Sequence, residues 1–160
     1  VNFTNQIRYL FIIWPTNLQN TLIFYLLLQF FAKMKPENQE WLLQAQTLSA
    51  GLLYPSESDE PINPFVWEEL PNEAWQERLL QPADSQMISD FFAKASEIRN
   101  WFGEAEKEEA LKFKNLADFI QNNLQNLHIF KEGEIEIEVF VIGQLPSGDW
   151  AGIQTLLVQT

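Results

Sequence analysis

The 160-residue chain contains no cysteine. That excludes disulfides, thiol nucleophiles and zinc-thiolate sites. It has one histidine, His128. A Ser-His triad would have to use it, and a metal site built on several histidines is impossible. His128 lies in the stretch LHIF, where it reads as a structural or surface residue of a strand. The six glycines are scattered, and neither GxGxxG nor GxxxxGK occurs, so no loop is built to cradle a phosphate. Bases are scarce too: ten Lys and Arg stand against 22 Asp and Glu, for a formal net charge of −12. A chain with so few cations has little with which to displace counterions from nucleic acid. Its field favours basic protein surfaces instead. These absences argue against an enzyme and call for no cofactor.

The first 33 residues lack something different. VNFTNQIRYLFIIWPTNLQNTLIFYLLLQFFAK contains no acid and no glycine, but carries Arg8 and Lys33. Residues 34–160 therefore hold eight bases and 22 acids, a net of −14. A membrane span is disfavoured because Pro15, Thr16, Asn17, Gln19, Asn20 and Gln29 interrupt the apolar run. The clean part, Leu22 to Leu28, is far shorter than the ~20 residues a span needs. A signal peptide would have to be cleaved after Phe-Phe-Ala, where a small residue is wanted two positions earlier. The reading adopted is an apolar extension upstream of a start at Met34, with one domain over residues 34–160. A signal or membrane anchor is the alternative.

Within that domain, Trp41, Ala45, Leu48 and Leu52 follow a helical spacing from Pro36 to Leu53, with Pro36 suited to the start and Gly51 to the end. Next comes YPSESDEPINPFVW, a short acidic loop held between prolines, with Tyr54 on one side and Phe65-Val66-Trp67, a short strand, on the other. Residues 70–83, bracketed by Pro71 and Pro82, read as either strand or short helix. Asp84 or Ser85 can cap a helix through Ile88, Phe91 and Phe92, and Trp101-Phe102-Gly103 is turn-like. Glu104–Leu124 carries an apolar stripe of Ala110, Phe113, Leu116, Ala117, Ile120 and Leu124, with acids crowding its first turns as the helix dipole favours. The last third reads as β. Lys131-Glu132-Gly133 is a hairpin turn. Glu134 to Val139 alternates polar and apolar, and Val139 to Ile142 is apolar on both faces, as in a strand covered on both sides. Pro146-Ser147-Gly148-Asp149 is a second turn, and Ala151–Thr160 a final strand. The elements predict an α+β domain, a three-layer α/β/α sandwich around a mixed, largely antiparallel sheet.

The acids Glu57, Asp59 and Glu60 invite two chemical readings. A carboxylate acid/base pair would need a cleft for which the sequence gives no sign. A calcium loop would need spacing that SESDE lacks. A plain solvated turn also fits this composition.

GLLYPSESDEPINPFVW resembles the nuclease A inhibitor (NuiA-like) family, in which a helix end, a Ser-Glu-Ser acidic loop and a Pro-Phe strand follow one another. The likeness continues through Asp90-Phe91-Phe92-Ala93-Lys94-Ala95, Trp101, Ile120 to Leu124, Gly133 to Gly143 and Ala151-Gly152-Ile153. It spans roughly residues 40–160. The resemblance implies a PR-1-like fold and a non-enzymatic role: inhibition, as a cytoplasmic monomer in a 1:1 complex, of a sugar-non-specific nuclease of the ββα-metal type. It implies no direct contact with nucleic acid and no metal of the inhibitor's own. It also implies that Glu57 is presented to the nuclease's Mg²⁺, flanked by Ser56, Ser58 and Asp59, and that Arg99, Trp101 and Thr160 touch the enzyme. Arg99 stands where the family pattern has glutamine. The alternative is a general interaction domain with another basic partner, tethered to a membrane if residues 1–33 serve as an anchor.

Overall fold

The computed structural model describes residues 21–158. The Thr160 contact expected from the resemblance lies outside them, as does the sequence up to residue 20. Helix α1 (Thr21–Lys33) leads into α2 (Pro36–Ser49). Their junction is fastened by Gln39, whose amide donates to the carbonyls of Phe31 and Met34, each at 2.8 Å. Among the described residues no helix is long and apolar enough to cross a membrane. Pro36 opens α2 as its spacing predicts, and the helix stops at Ser49. Gly51 then takes a left-handed φ of +74° that turns the chain into the loop region. Leu52 is buried as the stripe predicts, but beyond the helix rather than on it.

A two-stranded hairpin follows, β1 (Leu53–Tyr54) with β2 (Glu60–Pro61), then β3 (Asn63–Trp67). Residues 70–83 resolve as helix α3 (Glu73–Leu79), because the side chain of Asn72 accepts from the Trp75 N–H and caps it. Asp84 caps α4 (Ser85–Ser96) in the same way, accepting from the Met87 N–H at 3.0 Å. Helix α5 (Glu104–Asn123) is followed by β4 (Gln125–Glu132), β5 (Glu136–Gln144) and β6 (Trp150–Val158). The main sheet has the order β3-β6-β5-β4, and every pairing is antiparallel. Pro64 sits in β3, an edge strand, where a missing N–H is tolerated.

The predicted turn at Lys131-Glu132-Gly133 lies later than expected. Strand pairing continues through Glu132, and the reversal uses Gly133 at φ +110° with Glu134 and Ile135. Ile135 is therefore exposed in the turn and not on a buried strand face, which corrects the reading of strict alternation from residue 134. The apolar run Val139 to Ile142 is buried at every position, as expected.

The two sheet faces bury different side chains. One meets α2, α4 and α5: Val139, Val141, Ile153 and Leu157 pack with Trp41, Phe91, Phe92, Phe113, Leu116 and Ile120. Leu116 and Ile120 are wholly buried, each contributing about 1.5–3 kcal/mol by removal from water. The other face is aromatic. Trp75 of α3 packs edge-on against Phe140 at 5.0 Å, Trp67 at 4.9 Å and Phe130 at 5.5 Å. His128 belongs here: it is buried, stacked on Phe130, with Nδ1 2.6 Å from the Asn126 carbonyl and Nε2 3.0 Å from that of Gln81. That is a structural histidine, as its place in a strand suggests.

A buried polar network joins α2 to the sheet. Asn38, fully buried, donates to Glu68 at 2.9 Å and to Asp149 at 2.8 Å, and accepts from the Ser147 hydroxyl at 2.9 Å. Lys35 adds an ion pair to Asp149 at 2.6 Å. Burial pushes the Asp149 carboxyl up, but hydrogen bonds from Lys35, Asn38 and Ser147 and the Lys35 charge outweigh it and hold the group below its ordinary value.

Candidate functional site

Pro55 to Asp59 form the loop that joins β1 to β2. Glu57, Ser58 and Asp59 are exposed, and Ser56 is half-buried with its hydroxyl unpartnered among the described residues. Asp59 adopts a left-handed φ of +48°, and its Oδ1 accepts the Ser56 backbone N–H at 3.3 Å. Asparagine and aspartate tolerate that conformation because a short polar side chain can bond locally. Asp59 thus closes the loop on itself, leaving Glu57 near its tip.

The two ends of the loop are held differently from what the sequence suggests. At the entry, Tyr54 is buried, stacked on Phe91 with ring centroids 4.4 Å apart, and its hydroxyl donates to the Phe91 carbonyl at 2.9 Å. Burial pushes the Tyr54 phenol up to about 12. At the exit, the aromatic pair Phe65 and Trp67 does not hold the loop. Strand alternation turns both toward Phe140 on the opposite sheet face. The exit is fastened instead by the Thr155 hydroxyl, which donates to the Pro61 carbonyl at 3.0 Å, and by buried Ile62, whose N–H meets the Leu52 carbonyl.

Two grooves flank the loop. One, of about 450 Å³, is lined by Pro55, Ser56, Glu57 and Lys94 together with Leu157 and Val158, so the end of β6 borders the acidic loop. The other, of about 460 Å³, has Asp59, Glu97, Arg99 and Phe102 among its walls. Ser56, Glu57, Asp59 and Arg99 therefore gather at one end of the molecule. Lys94 lines both grooves and sits over the Tyr54 ring at 5.9 Å. The sequence places Lys94 in the stretch Asp90 to Ala95 that carries the resemblance but does not mark it as a site residue.

Trp101 is 75% exposed beside Arg99. Helix α4 ends because Glu97 leaves helical geometry with ψ 122°. In an extended segment residues two apart share a side, and Glu97 and Arg99 do meet: Nε and Nη2 of Arg99 each donate to Glu97 Oε2 at 3.0 Å. A tight turn, closed by the Phe102 N–H on the Arg99 carbonyl, then brings the Trp101 ring under the guanidinium at 5.5 Å.

Among the described residues no group of three or more His, Asp or Glu could hold a metal. The site brings together an exposed loop glutamate, an exposed aromatic ring and a mostly acidic surround. A family model for nuclease A inhibitor-like proteins matches residues 39–160. A comparison with curated proteins finds no match.

Proposed function

Because this chain belongs to the nuclease A inhibitor-like family, we propose that it inhibits a sugar-non-specific, metal-dependent DNA/RNA nuclease of the ββα-metal type by inserting the Pro55–Asp59 loop into its active site. The observation that carries this reading is the loop itself: Glu57 stands exposed near the tip of a short hairpin whose entry is locked by Tyr54 and whose exit is locked by Thr155. A nuclease active site is a cationic groove that binds a metal and a phosphate. A carboxylate is a hard oxygen donor that can take the place of a phosphate oxygen at Mg²⁺. A loop already fixed in shape loses little freedom on binding, and the acidic body steers it toward a basic groove. Ser56, Ser58 and Asp59 shape the loop beside Glu57. Arg99, Trp101 and the terminal Thr160 form the outer contacts. The chain acts as a cytoplasmic monomer in a 1:1 complex, has no catalysis of its own, and does not bind nucleic acid directly. We further take residues 34–160 as the inhibitory domain, and its helices on both sheet faces as a three-layer sandwich of the PR-1-like kind.

The test is a titration of the chain into a Mg²⁺-dependent nuclease from the same source, following DNA and RNA cleavage, beside Glu57→Ala. Stoichiometric inhibition that weakens by about tenfold or more in the variant is expected for the loss of a hot-spot carboxylate. Equal inhibition by both proteins contradicts the role of Glu57.

A second reading has one observation in its favour. Tyr25 and Leu26 of α1 are more than half exposed, as in a helix that rests on lipid. Co-sedimentation with neutral phosphatidylcholine vesicles is expected under that reading, and inhibition of a nuclease is not required by it.

A further inference from the structure

We infer that Glu97 favours binding to a basic partner by masking the charge of Arg99, so that this corner of the proposed binding surface offers Trp101 without an uncompensated cation. The inference rests on the inhibitor reading above. Arg99 shares one groove with Asp59 of the loop, so a partner seated on the loop also meets Arg99. A basic enzyme surface would be repelled by a bare guanidinium there, because like charges brought together at an interface cost affinity and slow association.

The geometry removes that penalty within the chain. Glu97 takes two hydrogen bonds from Arg99 through one oxygen, at 3.0 Å each. The guanidinium that remains lies over the Trp101 ring, whose π face accommodates it. All three side chains are substantially exposed, with Glu97 at 54% and Arg99 at 48% of side-chain area. An exposed pair of this kind adds little to folding stability. The arrangement follows instead from the local chain path, the extended exit from α4 and the tight turn after it. Glu97 acts through Arg99 and is a positioning residue, so its signature is a loss that disappears when the cation it masks is also removed.

The experiment uses the full chain and the nuclease of the preceding test, with wild type, Glu97→Gln, Arg99→Gln and the double variant compared at low and high salt. Thermal melts of the four proteins establish equal folding. Glu97→Gln should weaken inhibition by about five- to tenfold at low salt, and the loss should shrink at high salt, as for an unmasked exposed charge. The loss on removing Glu97 should be absent once Arg99 is replaced, so the double variant should match Arg99→Gln, whatever Arg99→Gln loses as an outer contact. If Glu97→Gln inhibits like wild type, the masking role is overturned. If the double variant is clearly weaker than Arg99→Gln, Glu97 contacts the partner itself and the inference is equally overturned. Failure of the wild-type chain to inhibit is a separate readout, and it removes the inhibitor reading together with this inference.

Discussion

Replacing Asn38 by alanine should destabilise the fold severely while leaving the acidic loop intact. Asn38 is fully buried and makes three hydrogen bonds, two of them to carboxylates, those of Glu68 and Asp149, and one from Ser147. Hydrogen bonds to charged groups contribute about 1.5–3 kcal/mol each and neutral ones about 1 kcal/mol, so the gross loss is several kcal/mol. The net loss is smaller. Glu68 keeps the Lys35 backbone N–H at 2.6 Å and Asp149 keeps the Lys35 ammonium at 2.6 Å, so neither carboxylate is stripped of every partner. Glu68 is also exposed, so water can reach it. The expected cost is about 3 kcal/mol. Urea unfolding followed by tryptophan fluorescence should show a midpoint lowered by about 1–2 M at unchanged slope, and the melting temperature should fall by about 6–12 °C. Inhibition per folded molecule should not change, because the network ties the start of α2 to the β5–β6 turn and includes no residue of the acidic loop. A cost below about 1 kcal/mol, the worth of one ordinary hydrogen bond, would refute the claim that this network fastens α2 to the sheet.

Other consequences can be measured alongside. Asp149 has a depressed carboxyl in the folded state, so its stabilisation is present above the unfolded value near pH 4 and is lost as pH falls through the folded one. The advantage of wild type over Asp149→Asn in urea unfolding should be constant at neutral pH and disappear in strong acid. Tyr54 has the opposite dependence: with its phenol pushed up to about 12, stability should fall as pH rises from about 10 toward 12, and Tyr54→Phe should make that fall smaller, leaving the part due to Lys35, which Asp149 holds above its ordinary value. Gly152→Ala should cost at least about 2 kcal/mol in chemical unfolding, because its added methyl would run into the β5 backbone at Val141 and Ile142. Trp75→Ala should cost about 3–5 kcal/mol by emptying the aromatic face, again without loss of inhibition per folded molecule.

What the sequence could and could not convey follows from the range of the interactions. Helix α2 is legible because Pro36 and the spacing of Trp41 and Ala45 are local signals, and β5 because its apolar run is. The acidic loop is legible because prolines and acids leave few other conformations. Residues 70–83 are not, since Pro71 and Pro82 bracket strand and helix alike, and only the Asn72 cap decides. Ile135 misleads because the alternating pattern begins two residues before the strand does. The anchors of the loop are the largest gap. Tyr54 pairs with Phe91, 37 positions away, and Thr155 reaches back 94 to Pro61. Lys35 and Asp149 are 114 residues apart. No periodicity encodes such pairings. The Glu97–Arg99 contact is close in sequence, but it depends on where α4 ends, and helix ends are the least certain part of any pattern-based reading.

The central claim is that Glu57 acts at the metal of the partner enzyme. The most direct test measures dissociation constants of wild type and Glu57→Ala for the same-source nuclease, once with Mg²⁺ and once with the metal removed by EDTA. The account predicts that the variant binds at least about tenfold more weakly with Mg²⁺ and that the difference largely vanishes in EDTA. An equal deficit with and without metal would contradict it, and would move Glu57 from the metal to an ordinary basic side chain of the enzyme.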